Sequence, residues 1–235
     1  MVRVLCIVQA RLTSSRLPKK VLMPLGNSGL SILEHVYQRL NMSKHIDKVV
    51  FAIPDSQMND SLAEFLEVKQ MPYTRGSEND VLDRFYQCAV QFDPQIVVRA
   101  TCDNPLVDWE LADKLIEKLE NNDYVGSKDT PLGTGVEVFT MEALRKSFAN
   151  AMTEPQHEHV TPYMYQNMRH SYISYNGFHF RLTIDEERDY YVMDTIYREL
   201  YKGQPIPNVE VYDYLDKNPD IALYNQVVHQ KQLGE

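Results

Sequence analysis

The stretch Val2-Arg3-Val4-Leu5-Cys6-Ile7-Val8-Gln9-Ala10-Arg11-Leu12-Thr13-Ser14-Ser15-Arg16-Leu17-Pro18-Lys19-Lys20-Val21-Leu22 decides how the chain reads. Residues 2–8 form an apolar run of strand length, which predicts a buried first strand. Directly after it, residues 9–22 gather two arginines, two lysines, a threonine and two serines into one short loop. The whole chain carries a formal net charge of −9, so a cationic loop at this place calls for a reason. Side-chain cations and backbone N–H groups converging at the carboxyl end of a strand suit the phosphates of a polyanion. The loop lacks the G-x-x-x-x-G-K-[ST] spacing of a Walker loop and the G-x-G-x-x-G of a dinucleotide site. An ordinary basic surface loop fits the spacing as well.

Composition bounds the rest. The 235 residues suffice for one large α/β domain or two small ones, and 43% hydrophobic with 24% charged residues is ordinary for a globular chain. No stretch approaches the roughly 20 apolar residues that span a bilayer. The strand-like start runs into the charged loop without a small-residue cleavage site, so a cytoplasmic location without membrane insertion is expected. Cys6, Cys88 and Cys102 are scattered and form no C-x-x-C pair, which fits reduced thiols. The acidic balance argues against a general nucleic-acid binder, which favours a basic face. A nucleotide-sized anion on a local cationic loop is compatible with it.

Strand-like and helix-like segments alternate through the first half. Strands are predicted at residues 2–8, 48–53 and 96–99, helices at 59–67, 80–92 and 108–120, and a loop around 75–77. Ser31-Ile32-Leu33-Glu34 is a capping box, and the helix it opens carries Leu33, Val36, Tyr37 and Leu40 on one face. Such alternation implies right-handed βαβ units and a mostly parallel sheet. In the second half, short strands are expected at 124–126, 135–140, 172–175 and 181–184, and helices at 142–150, 158–167 and 187–201. This reads as one domain, 1–235, whose mixed sheet carries an inserted subregion around 133–180. Asn218-Pro219 suits the N-cap and first turn of a terminal helix.

Further clusters carry candidate chemistry. Asp103, in Val97-Val98-Arg99-Ala100-Thr101-Cys102-Asp103-Asn104-Pro105-Leu106, stands just past a buried strand, at the edge where open α/β sheets bind ligands. A carboxylate there suits Mg²⁺, which prefers oxygen ligands and substrate phosphates. A turn before Pro105 explains it equally. Asp185, in Arg181-Leu182-Thr183-Ile184-Asp185-Glu186-Glu187-Arg188-Asp189, is a second metal carboxylate or a helix cap. Asp189 reads as first-turn stabilisation. Between residues 75 and 84, Ser77 and Asp80 offer polar groups to a base, and Asp80 equally caps a helix. Arg84 reaches a phosphate or pairs with Asp80 at i, i+4. His157 and His159 do not share a helix face, and no cysteine lies nearby, so zinc is not expected. Tyr163, Tyr165, Tyr172, Tyr175, Phe178 and Phe180 suit a sugar pocket, the core or a subunit interface.

The pattern Q-A-R-x-x-S-x-R-L-P-x-K, from Gln9 to Lys20, resembles the signature loop of nucleotidyltransferases that activate sugars. It is most similar to cytidylyltransferases of the acylneuraminate and 3-deoxy-octulosonate type, and among them to the group typified by spore coat polysaccharide biosynthesis protein F. Asp103 matches the family's Gly-Asp-x-Pro-Leu element, with Cys102 in place of Gly, and Asp185 matches Leu-Thr-x-Asp-x-x-x-Asp. Residues 76–84 resemble Gly-Ser-x-x-Asp-Val-Leu-x-Arg. Residues 133–139 and 158–163 resemble Gly-x-x-Val-Glu-Val-Phe and Glu-His-Val-Thr-Pro-Tyr. Lys19 stands where the family commonly has Gly, and Gln156 falls near a position often Arg.

The resemblance implies an α/β three-layer sandwich around a mostly parallel mixed sheet, of the nucleotide-diphospho-sugar transferase type. It implies a Mg²⁺-dependent cytidylyltransferase that moves CMP from CTP to an acidic, 2-keto-3-deoxy sugar for surface polysaccharide, releases pyrophosphate and forms a homodimer. Arg11, Lys20 and Asp103 would be catalytic. Ala10, Arg11, Ser15, Arg16, Lys20, Ser77, Asp80, Arg84 and Arg99 would bind the nucleotide. Glu137, Glu158 and His159 would bind the acceptor, and Asp103 and Asp185 the metal. Two other readings keep a nucleotide: a glycosyltransferase, whose Asp-x-Asp pair is missing at Asp103, and a non-catalytic nucleotide-binding protein.

Overall fold

A computed structural model describes residues 2–175 and 179–230. Phe178 therefore lies outside the described residues. The sheet comprises β1 (Val4–Gln9), β2 (Lys48–Pro54), β3 (Tyr73–Gly76), β4 (Ile96–Thr101), β5 (Tyr124–Lys128), β6 (Glu137–Thr140) and β7 (His170–Ser174). Their spatial order is β3-β2-β1-β4-β6-β5-β7. The first four run parallel, β6 runs antiparallel to β4 and β5, and β7 is parallel to β5. This is the mostly parallel mixed sheet that the alternating segments predict, in the α/β three-layer architecture that the resemblance implies.

The apolar strands are buried because helices cover both faces. On one face, Val4, Cys6 and Val8 pack against α1 (Ile32–Leu40), α2 (Asp60–Val68) and α4 (Trp109–Lys118). On the other, Leu5 and Ile7 pack against α3 (Val81–Phe92), α5 (Met141–Asn150) and α7 (Pro162–Asn167). The capping box forms as read: the Ser31 hydroxyl accepts from Glu34 N at 3.2 Å, and Glu34 Oε2 accepts from Ser31 N at 2.8 Å. A third cluster joins Leu182 and Ile184 to α8 (Glu187–Leu200) and α9 (Asn208–Lys217).

Five elements differ from expectation, α9 among them, since no helix is predicted over 208–217. Tyr73–Gly76 pairs with β2 as a short edge strand, although Arg75-Gly76 reads locally as a loop; sheet pairing overrides local preference. Residues 181–184 form no strand but only a bridge, Leu132 to Arg181, while Ile184 N donates to Asp103 O at 2.9 Å. The helix expected over 158–167 is two, α6 (Glu154–His159) and α7, broken at Val160. Pro162 removes a backbone donor and crowds the carbonyl of residue 158, so one helix cannot run through. Val160 instead takes φ 68° and ψ −51°, and Thr161 N donates to His159 O at 2.7 Å, a γ-turn that is strained at a β-branched residue. Finally, α10 (Pro219–Leu223) starts at Pro219, but the Asn218 side chain donates to Tyr214 O at 2.7 Å rather than capping it.

Candidate active site

From β1 the chain steps outward to β2 and β3, then returns to β4 on the opposite side. That reversal opens a crevice beyond the carboxyl ends of β1 and β4, where open α/β sheets take ligands. The cationic loop leaves β1 there, and Asp103 follows β4 there. A cleft of about 270 Å³ occupies the crevice, lined in part by Arg11, Arg16, Lys20, Arg84, Asp103 and Asp185. Ala10, Ser15, Glu158 and His159 also line it.

The loop is pinned from within. Leu12 N donates to Asn59 Oδ1 at 2.9 Å, and Lys19 N to Leu12 O at 3.1 Å. Lys19 adopts φ 58°, a left-handed conformation that glycine reaches without strain. The loop thus takes a turn that a Gly at this position would make without strain. The next residue, Lys20, is only 7% exposed. Its Nζ lies 3.1 Å from Asp103 Oδ2 and 3.2 Å from Asp185 Oδ1, and also donates to Ile184 O. Burial by itself would raise the Asp103 carboxyl, but Lys20 and Thr101 override it and hold the group below the ordinary carboxylate range. Asp103 is therefore ionised at neutral pH. Asp185 meets two further cations: Arg16 Nη2 at 3.1 Å and Arg181 Nη2 at 3.0 Å.

Two carboxylates from distant segments thus converge on one ammonium position. A hard cation with oxygen ligands fits that donor set, with its remaining positions left to phosphate and water. Among the described residues no third His, Cys, Asp or Glu joins them. Beside Asp103, Cys102 is buried and its thiol is pushed well up by burial, so it packs rather than reacts.

The segment after β3 contributes Val81 and Arg84 to the cleft. Burial, and then the neighbouring Arg11, lower the Arg84 guanidinium to about 10, which leaves it charged at pH 7. Arg84 donates to Ser77 O and does not pair with Asp80. Asp80 caps α3 through Asp83 N at 2.9 Å, and its other oxygen meets His157 Nδ1 at 2.8 Å. Ser77 Oγ accepts from Asp80 N at 3.0 Å. Neither Ser77 nor Asp80 lines the cleft.

A second cavity of about 240 Å³ abuts the first, and Thr101 lines both. Arg99, expected beside the nucleotide, lines this second cavity instead, with Asn104, Tyr124, Ser127 and Glu137. Its Nη1 pairs with Glu137 Oε2, and its Nη2 donates to Gln9 Oε1 at 3.1 Å. The other Glu137 oxygen accepts from Tyr124 OH at 2.8 Å and Thr161 Oγ1 at 2.6 Å. Glu137 is thereby committed to holding its neighbours. Arg99 Nε and Asn104 Oδ1 are buried without a hydrogen-bond partner, which suits a polar occupant close by. His159 is lowered by burial, against the pull of Glu158, and is neutral at pH 7. The three expected acceptor residues are therefore split: Glu137 lines the second cavity, Glu158 and His159 the first.

A sequence-family model described as cytidylyltransferase matches residues 5–232. The chain belongs to the cytidylyltransferase family. It is a nucleotidyltransferase, which sets aside the glycosyltransferase and non-catalytic readings. Spore coat polysaccharide biosynthesis protein SpsF of Bacillus subtilis is 35% identical over 231 residues, covering 93% of this chain and 96% of that protein. The 3-deoxy-manno-octulosonate cytidylyltransferase of Thermodesulfovibrio yellowstonii is 31% identical over 130 residues, 52% of this chain and 50% of that protein. A solved cytidylyltransferase structure from Leptospira borgpetersenii superposes with a TM-score of 0.86 at 27% identity, covering 98% of this chain and 100% of that one.

The sequence reading of this cytidylyltransferase missed Arg181, Tyr124 and Thr161. The Arg181, Asp185 and Asp189 spacing, opposite charges four and eight residues apart, is a signal that could have found the first. Nothing local marks Tyr124 or Thr161, whose hydroxyls matter only because β5, β6 and α7 bring them to Glu137.

Proposed function

We propose that this cytidylyltransferase transfers CMP from CTP to a hydroxyl of an acidic, 2-keto-3-deoxy sugar, with Mg²⁺ as cofactor and pyrophosphate as the leaving group. The observation that carries the reading is the convergence of Asp103 and Asp185 on Lys20 at the reversal of the sheet, beside the cationic loop. The likeness to a 3-deoxy-manno-octulosonate enzyme supports the acceptor class, and the likeness to SpsF supports a role in surface polysaccharide.

On this reading the triphosphate lies against Arg11, Arg16, Lys20 and Arg84, and the nucleoside against Ala10 and Ser15. Ser77 and Asp80 act on the base indirectly, by holding the start of α3. The acceptor enters the second cavity, where Arg99 is the cation nearest its carboxylate, and Glu158 and His159 stand at the border with the nucleotide. The acceptor hydroxyl oxygen bonds to the α-phosphorus in line. The bond from that phosphorus to the bridging oxygen of the β-phosphate breaks, and the hydroxyl proton passes to water. Asp103 and Asp185 would hold Mg²⁺, which when bound would supply Lewis-acid polarisation of the phosphate and favour ionisation of the hydroxyl. Lys20, released from its carboxylates, turns to the phosphate oxygens, and Arg11 and Arg16 meet the charge that builds on pyrophosphate. Rate enhancement comes from positioning and electrostatics, without a covalent enzyme intermediate.

The reading includes one domain whose residues 133–180 carry the acceptor side and the contact of a cytoplasmic homodimer; light scattering tests the dimer. Among the described residues no helix is long and apolar enough to cross a membrane. The deciding experiment is pyrophosphate release with each of the four nucleoside triphosphates, Mg²⁺ and a panel of acidic sugars. Release with CTP and one acid is expected. Release with another triphosphate discards the cytidine assignment, and failure of CTP to bind refutes the reading.

A further inference from the structure

Behind Asp185 lies a buried cluster that lines neither cavity. Arg181 is 6% exposed. Its Nε and Nη2 grip the two oxygens of Asp189 at 2.8 and 3.0 Å, and Nη2 also reaches Asp185 Oδ2 at 3.0 Å. A two-point guanidinium–carboxylate pair of this kind fixes orientation as well as distance. Asp189 Oδ2 further accepts from the backbone N–H groups of Asp185 and Glu186, at 2.9 and 3.1 Å, so the main chain under Asp185 is pinned too.

The segment following α10 closes this cluster. Asn225, 1% exposed, gives its amide to Asp189 Oδ1 at 2.9 Å and to Arg181 O at 3.0 Å. Gln230 Oε1 accepts from Arg181 Nη1 at 2.6 Å. The carbonyl of His229 accepts from Arg16 Nη1 at 3.4 Å, so the same segment touches the cationic loop.

We propose that Arg181 is a positioning residue for Asp185, and that residues 225–230 are a strap that completes its clamp. The inference rests on the proposed metal role of Asp185. Its physical content is the division of labour between the two Asp185 oxygens. Oδ2 is held by Arg181, so Oδ1 alone is presented to Lys20 at 3.2 Å and Arg16 at 3.1 Å, on the cleft side. Without the clamp, the carboxylate is free to rotate and to pair with Arg16 through both oxygens. Stability by itself does not call for this cluster, because well-packed apolar groups in place of a buried ion pair are often as stable or more so.

The test is Mn²⁺ binding to the full chain in the presence of CTP and without acceptor, followed by electron paramagnetic resonance of free Mn²⁺. Metal-free CTP binding and thermal unfolding are recorded alongside. Asp185→Asn is the benchmark. Arg181→Lys keeps the charge but loses the fork, and is expected to weaken Mn²⁺ roughly 10–100-fold, the usual effect of losing a group that orients a metal ligand, with metal-free CTP binding unchanged. Gln230→Ala removes one arm from an exposed residue and is expected to weaken Mn²⁺ severalfold at an unchanged thermal midpoint. If Asp185→Asn weakens Mn²⁺ while Arg181→Lys and Gln230→Ala bind it like the parent, the clamp is refuted and the metal reading stands. If Asp185→Asn binds Mn²⁺ normally, both fall. Equal losses of Mn²⁺ and metal-free CTP in Arg181→Lys would mean a general structural role and overturn the inference. Should Arg181→Lys fail to fold, Gln230→Ala decides by the same readout.

Discussion

Lys20→Met removes the ammonium that Asp103 and Asp185 share. The two carboxylate oxygens lie 3.1 and 3.2 Å from Nζ. They are therefore at most about 6.3 Å apart, and at an effective dielectric constant of about 20 they repel by roughly 2.6 kcal/mol or more. Arg16 and Arg181 remain on Asp185 and offset part of this, whereas Asp103 loses the cation that keeps its carboxyl low. A net destabilisation of about 2–4 kcal/mol is expected, or roughly 5–15 °C in thermal midpoint for a chain of this size. The same variant leaves two carboxylates facing a vacated cation position, Asp185 with its arginines and Asp103 without a cation. Mg²⁺ without nucleotide is therefore expected to restore much of the loss by mass action, and to stabilise the variant more than the parent. Circular dichroism melts of both proteins at pH 7, with and without MgCl₂, measure this directly. In turnover assays the apparent KM for CTP rises and kcat falls. A variant that melts with the parent, or whose midpoint ignores Mg²⁺, refutes the reasoning.

Other perturbations separate chemistry from architecture. Asp103→Asn is expected to abolish Mg²⁺-dependent pyrophosphate release with the thermal midpoint within a few degrees of the parent, since Lys20 keeps Asp185 and Ile184 O; a full-speed variant removes Asp103 from the site. For Glu34, burial would raise the carboxyl, but Lys69 and Ser31 outweigh it, so the folded pKa lies below the unfolded one. Its stabilisation is present above about pH 4.3, the unfolded value, and is lost as pH falls from there through the folded value. Glu34→Gln is thus expected to cost about 1 kcal/mol at pH 7 and little in acid, and urea titrations at pH 7 and pH 3 would show the gap closing. Gly133 has φ +92°, and a Cβ there would sit 2.4 Å from the Leu182 carbonyl. Gly133→Ala is expected to lose more than about 2 kcal/mol by strain and overlap, and a normal thermal midpoint would disprove that account.

What the sequence by itself determined was local. The Val4–Gln9 strand and its cationic loop, the Ser31–Glu34 capping box, and Asp103 at the end of β4 each follow from neighbours within a few residues. The order of segments then implied the parallel sheet, and a parallel sheet puts such loops at its carboxyl edge. The break at Val160 is encoded locally too, by Pro162, although the expectation of one helix over 158–167 overlooked it. Tertiary structure alone decided the pairings between distant residues. Tyr73–Gly76 is a strand only because β2 offers it an edge. Arg99 lines the second cavity, paired there with Glu137 from β6. Arg181 is joined to Gln230 across 49 positions of sequence. Side-chain charge is written in the sequence, but its partner is chosen by the fold, since burial strengthens whichever pairing the packing brings within hydrogen-bond reach.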